Sequence, residues 1–188
     1  YIQIPYVLDP ADGPFSAFAW VKGTHQGTSG GTIIRQLSND GPARFWLKID
    51  IDDINNKRLQ TMVKSTESVM MQASLDHWDT DAWYHVGLVW DGSRRHLYVN
   101  GRVVASDSDP IGQLESCSGG LLVGAHENVD RCWDGLIDDV RIYGRGLSKT
   151  EIYAMYREGL FFDGSGIKGN GAQTDIEKCI IKQNKSEV

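Results

Sequence analysis

Hydrophobic and polar positions alternate with a period of two along most of this chain, in short runs bounded by Gly, Pro, Asn and Asp. Residues 83–106 show it most plainly. Three runs rich in β-branched and aromatic residues are separated by Asp91-Gly92 and Asn100-Gly101, pairs that supply the positive φ angles of two-residue hairpin turns. Leu97 and Val99 alternate there with His96, Tyr98 and Asn100, so one strand face is apolar. A three-stranded β-meander is predicted.

The same pattern predicts the other elements. Tyr1 to Val7 alternates and stops at a cluster of turn formers, Asp9 to Pro14. Phe15 to Val21 carries Phe18 and Trp20 on one face and Ala17, Ala19 and Val21 on the other, as a strand covered on both sides would. A Gly, Ser and Thr loop, residues 25–31, leads to a strand from Thr32 to Leu37 and a turn at Asn39-Asp40-Gly41-Pro42. Phe45, Leu47, Ile49 and Ile51 then alternate with Trp46, Lys48, Asp50 and Asp52. Weaker alternation marks Leu59 to Lys64 and Ser68 to Ala73, and strands are again predicted over Leu121 to Gly124 and Trp133 to Tyr143. Strands recurring roughly every eight to twelve residues indicate an all-β sandwich or barrel. One helix is predicted: Ser148 and Glu151 form a capping box, Ile152, Met155 and Tyr156 supply an apolar stripe, and Gly159 is expected to end it.

After Phe162 the alternation gives way to Gly-rich and then charged sequence. We expect one domain, residues 1–162, and a tail, residues 163–188, that is either a flexible linker or an extra edge strand. A length of 188 residues suits a single core. The formal net charge of −6, with acids and bases interspersed, gives no reason to approach nucleic acid. No apolar run approaches the roughly 20 residues of a transmembrane helix. The chain starts at Tyr1 with no leader-like segment, so we expect a processed or excised chain whose signal peptide, if it had one, has been removed. Of three cysteines, Cys117, Cys132 and Cys179, at most two can pair with each other; the spacing of Cys117 and Cys132 is compatible with a disulfide or with two half-buried thiols.

Three segments carry a resemblance: W-Y-H-V-G-L-V-W-D-G at Trp83 to Gly92, L-Y-V-N-G at Leu97 to Gly101, and G-L-I-D-D-V-R-I-Y-G-R-G-L-S-K-T-E-I at Gly135 to Ile152. Together they resemble laminin-G-like members of the concanavalin A-like lectin and glucanase superfamily, from the early strand at Tyr1 to the helix near Tyr156. The resemblance implies a jelly-roll sandwich of two antiparallel sheets, one concave and one convex, with one short C-terminal helix.

Asp138 shares strand parity with Val140 and Ile142, which should face the core, and an inward carboxylate must be paired, hydrogen-bonded or bound to metal. Relatives in the superfamily bind calcium through a late-strand acid, so the resemblance implies a calcium site at Asp138, completed by Asp9 or Asp12 from the N-terminal loop. The alternative is a carboxylate held by backbone amides or Arg141. Trp46, Lys48, Asp50 and Asp52 share one strand face; an aromatic plate beside hydrogen-bonding groups suits sugar recognition, with His77 and Trp78 contributing from a loop. The plain alternative is a solvated face on which Trp46 covers its neighbours.

No catalytic residue is assigned. Retaining glucanases of the superfamily place two glutamates around an aspartate on one strand, because nucleophile and acid must stand about 5 Å apart. No E-x-D-x-x-E cluster occurs here, the five histidines are scattered, and no serine lies in a G-x-S-x-G elbow. The expectation is a noncatalytic binding module for carbohydrate or glycoprotein in an extracellular or cell-surface protein. The alternatives are a glycan-active enzyme of the same fold and a protein–protein adhesion domain.

Overall fold

The computed structural model describes residues 1–25, 30–38, 43–53, 56–65, 68–108, 112–126, 131–161 and 179–182. Its framework grows from the meander. β7 (Tyr84–Trp90), β8 (Arg95–Val99) and β9 (Arg102–Asp107) pair antiparallel in sequence order. The Asn100-Gly101 turn has two residues, with φ of 50° and 76°, and Asn100 also accepts a hydrogen bond from His85 N through Oδ1 at 2.9 Å. The Asp91-Gly92 connection is longer than a two-residue turn. It runs from Asp91 to Arg94, because Asp91 Oδ1 gathers Ser93 N, Ser93 Oγ and Arg94 N into a side-chain-closed loop.

β2 (Phe15–His25) lies between β7 and β11 (Trp133–Tyr143), and β12 (Cys179–Lys182) joins the far side of β11 in parallel, with Val140 opposite Cys179. This gives one six-stranded sheet in the order β12-β11-β2-β7-β8-β9. The other sheet comprises β1 (Ile2–Ile4), β3 (Gly31–Gln36), β4 (Phe45–Asp53), β5 (Asn56–Lys64), β6 (Ser68–Ser74) and β10 (Leu121–Val123), in the order β1-β10-β3-β4-β5-β6. Apart from β12, every pairing in both sheets is antiparallel. The two sheets stack as a jelly-roll sandwich.

Between them sits the main core. Phe45, Leu47, Ile49, Leu59 and Val63 from the first sheet meet Phe15, Ala17, Ala19, Val21, Val86, Leu88 and Ile137 from the second, and all are essentially excluded from solvent. Arg95 is also fully buried. Its Nε and Nη2 clasp Asp107 at 2.9 and 2.6 Å, and Nη1 donates to Val69 O, so the cation ties β9 to β6 across the sandwich rim.

A second, smaller core forms on the outer face of the second sheet, where α1 (Lys149–Phe161) packs Ile152 and Met155 against Phe18, Val89, Tyr98 and Tyr143. The capping box forms as predicted: Ser148 N donates to Glu151 Oε2 at 2.8 Å and Glu151 N donates to Ser148 Oγ at 3.3 Å. Gly159 does not end the helix. It lies inside the last turns, where an added Cβ would stand 2.3 Å from Trp20 Nε1, so its role is to let the indole approach. Gly87 serves the same purpose on β7, since a Cβ there would be 2.0 Å from the Phe18 ring.

Ile137, Val140 and Ile142 face the main core, and between Ile137 and Val140 the strand carries one extra residue, Asp139, at φ 47°. The bulge breaks the parity on which an inward Asp138 rested. Asp138 instead sits beside Trp20 on the outer face, half-buried, and Asp139 N donates to its Oδ1 at 2.6 Å. Arg141 then locks the bulge to the helix, holding Asp139 at 2.8 and 2.7 Å and Glu158 at 3.2 Å. Cys117 is buried and its Sγ donates to Leu37 O, Cys132 is exposed, and no disulfide joins the two.

His85 lies under α1, 1% exposed, with ring centroids 5.2 Å from Phe18 and 5.3 Å from Trp20. Burial, and secondarily the charge of Arg141, lowers its pKa to about 3 from 6.5. The folded protein therefore binds this proton less readily than the unfolded chain, so stability falls as pH drops from about 6.5 towards about 3, by about 1.4 kcal/mol per unit. His85→Phe is expected to flatten that part of the stability–pH curve, measured by urea unfolding at stepped pH; parallel curves for the two proteins would refute the assignment. Gly87→Ala is expected to lower the unfolding free energy by about 1 to 3 kcal/mol, because the fully buried Phe18 ring has nowhere to go. An unchanged urea midpoint would show that the second core yields.

Candidate functional site

Among the described residues, no helix lies on the outer face of the first sheet. Strand alternation and register set its side chains in rows. One row runs Arg35 on β3, Trp46 on β4, Met62 on β5 and Met70 on β6; the next runs Thr32, Lys48, Gln60 and Gln72; the third runs Asp50, Arg58 and Ser74. The opposite parity of β4, with Phe45, Leu47 and Ile49, fills the main core, and this fixes which set faces outward.

Trp46 is half-buried, with Lys48 Nζ 5.1 Å from its ring centroid. A cation over an exposed aromatic face contributes about 0.5 to 1 kcal/mol, little enough for an incoming ring-stacking ligand to displace the lysine. Behind Trp46 lies a polar network. Arg58 Nη2 and Gln60 Nε2 both donate to Asp50 Oδ2, at 3.1 and 3.2 Å, and Gln60 Nε2 also donates to Gln72 Oε1 at 3.2 Å. Asp50 is 7% and Gln60 2% exposed, yet Asp50 Oδ1 and Gln60 Oε1 have no hydrogen-bond partner. A buried acceptor left unpaired costs about 1 to 3 kcal/mol.

The residues expected to bind ligand do not all converge. Trp46, Lys48 and Asp50 stand together on the outer face, while the side chain of Asp52 lies outside the described residues. His77 is exposed in the loop before β7. Trp78 is a core residue. Its ring stacks on Tyr84 at 4.1 Å, meets Trp133 edge-on at 6.2 Å, and donates Nε1–H to Gly23 O at 2.9 Å, leaving 5% exposed. With both its face and its donor used in packing, it offers nothing to a ligand. Arg58, Gln60 and Gln72 were not anticipated from the sequence. The available signal was the alternation of Arg58, Gln60, Met62 and Lys64 against Leu59, Thr61 and Val63.

The three acids expected at a calcium site are not brought together. Asp9 caps the 3-10 turn Pro10–Asp12, accepting Ala11 N at 2.9 Å, and it anchors the loop before β10 by accepting Cys117 N at 3.1 Å and the Ser116 hydroxyl. Asp12 is exposed, and Asp138 is held at the bulge on the other sheet. Among the described residues no three of His, Cys, Asp and Glu gather into a metal-holding group. The donor set named from the sequence does not fit calcium.

Known proteins share this architecture. No curated protein matches the chain in sequence. Among solved structures it is similar to the heptameric SAP-like pentraxin from Limulus polyphemus, at 16% identity and TM-score 0.62, covering 82% of this chain and 72% of that one. It is similar to domain 4 of AbnA, an extracellular arabinanase from Geobacillus stearothermophilus solved with arabinotriose, at 20% identity and TM-score 0.60, covering 82% and 71%. It is also similar to the binding domain of botulinum neurotoxin serotype G, at 19% identity and TM-score 0.57, covering 81% of this chain but 38% of that one. Identities this low establish the shared fold and nothing finer. A laminin-G family model described as the concanavalin A-like lectin/glucanases superfamily matches residues 1–153, and the chain belongs to that superfamily.

Proposed function

We propose that this chain is a noncatalytic binding module that takes carbohydrate, free or on a glycoprotein, on the outer face of its first sheet, as part of an extracellular or cell-surface protein. The observation that carries the reading is Trp46: a half-buried indole at the border of a polar network, on the sheet face that α1 leaves open. Its ring matches the C–H face of a sugar, and the flanking amide, carboxylate and ammonium groups match hydroxyls. The similar arabinanase domain solved with arabinotriose supports a sugar, and no described helix is long and apolar enough to cross a membrane. The polar network speaks for binding rather than catalysis, since its hydrogen bonds join one carboxylate, Asp50, to Arg58 and Gln60, and Gln60 in turn to the amide of Gln72.

On a glycan array the wild-type protein is expected to bind, and Trp46→Ala is expected to weaken that binding by about 1 to 3 kcal/mol while moving the melting temperature little. A variant that melts early but binds normally would make Trp46 a packing residue. Failure of the wild type to bind any glycan would leave the adhesion-domain reading in its place.

A further inference from the structure

We infer that the ligand on this face is a linear oligosaccharide laid across the strands, with one sugar ring over Trp46 and a later one over Met70. This rests on the carbohydrate reading above and adds the ligand's form and direction. Strand register carries it. By alternation, the neighbours of Trp46 on its own face along the chain are Arg44 and Lys48, both charged, so a ligand lying along the strand would leave apolar surface after one ring. Across the sheet the neighbours of Trp46 are Met62 on β5 and, beyond it, Met70 on β6. Met62 is buried and fills the gap beneath, whereas Met70 is 50% exposed. Trp46 and Met70 therefore offer two accessible apolar surfaces two strand spacings apart, about 10 Å. One sugar ring does not cover both.

Both long sides of this row are polar. On one side Glu115, from the loop before β10, binds Arg44 at 3.3 Å and Lys64 at 3.0 Å, and Arg44 Nε donates to Ser116 O at 2.9 Å, so this loop borders the row. On the other side stand Lys48, half-buried on β4, and Gln72, exposed on β6. An oligosaccharide has the matching cross-section, with C–H faces that stack on apolar surface and hydroxyl edges that hydrogen-bond. Laid along the row, it sets its faces on Trp46 and Met70 and its edges against the polar flanks. The unbranched, polarisable Met70 side chain adapts to the shape of the ring it meets. Arg35, beyond Trp46 in the same row, is buried, so the chain extends the other way, towards β6 at the edge of the sheet.

The test is a calorimetric titration with arabinose, glucose, xylose and mannose and with the linear oligosaccharides of each up to the hexasaccharide. In the series that binds, wild-type affinity should rise about tenfold from monosaccharide to trisaccharide. Met70→Ala should melt as the wild type does, lose most of that gain and leave monosaccharide binding unchanged, whereas Trp46→Ala should weaken both. Should Met70→Ala melt early, the Met70 methyl resonance of the wild type decides, and it should shift when the trisaccharide is added. Equal affinity for monosaccharide and trisaccharide would overturn the inference and leave the carbohydrate reading standing. A length gain that survives in folded Met70→Ala, or a Met70 methyl resonance that does not move, would do the same. No binding to any probe overturns both.

Discussion

Phe18 lying over the bare backbone of Gly87 is the contact on which the division of labour between the two sheets depends. With no side chain on β7 at that point, the Phe18 ring sinks against the strand, and its stack with His85 and tilt against Tyr98 make an aromatic floor. α1 needs such a floor. Its own apolar stripe is narrow, and tertiary packing rather than propensity holds a helix of this length in place. Once Ile152 and Met155 rest there, the outer face of the second sheet is occupied. Among the described residues no helix covers the outer face of the first sheet.

That open face follows a different physical logic. The second sheet is apolar on both sides around β2, where Phe15 to Val21 are all buried. Around β4 and β5 the first sheet is apolar inward and polar outward, and its outward polar groups are packed closely enough to be withdrawn from water. Withdrawing Asp50 and Gln60 demands hydrogen bonds in return, and the sheet provides them across three strands, from Arg58 through Gln60 to Gln72. The network stops two acceptors short. At Asp9, by contrast, the two oxygens take three donors.

What the sequence revealed depended on whether local pattern and tertiary structure agreed. The Asn100-Gly101 turn and the Ser148–Glu151 cap are decided by nearest neighbours, and both form as the residues predict. The outward parity of Trp46, Lys48 and Asp50 was legible because Phe45, Leu47 and Ile49 mark the inward side without ambiguity. Asp138 was misread because counting by twos assumes an unbroken strand, and one residue in the left-handed region at Asp139 shifts every later side chain. Trp78 was misread because loop position says nothing of burial; its fate is decided by Tyr84, Trp133 and the Gly23 carbonyl, the last of these 55 residues away. Gln60 and Gln72 escaped notice for a related reason. A glutamine in a weakly alternating strand is unremarkable until register sets it between a carboxylate and a second amide.

The bulge at Asp139 and the network at Asp50 show how the same residue type reaches opposite ends. Each aspartate meets an arginine on its own sheet. At the bulge Arg141 grips both oxygens of Asp139 and reaches on to Glu158, so the carboxylate is used up in fastening α1 to the strand beneath it. At the open face Arg58 takes one oxygen of Asp50, and the second donor on that oxygen is an amide with an acceptor of its own to spare. The bidentate clasp leaves no capacity for a ligand; the monodentate one leaves a directed, charged acceptor with a neutral acceptor beside it. Geometry at the arginine, more than the identity of the acid, therefore separates the carboxylate held by both oxygens, which fastens the helix, from the one held by a single oxygen on the first sheet.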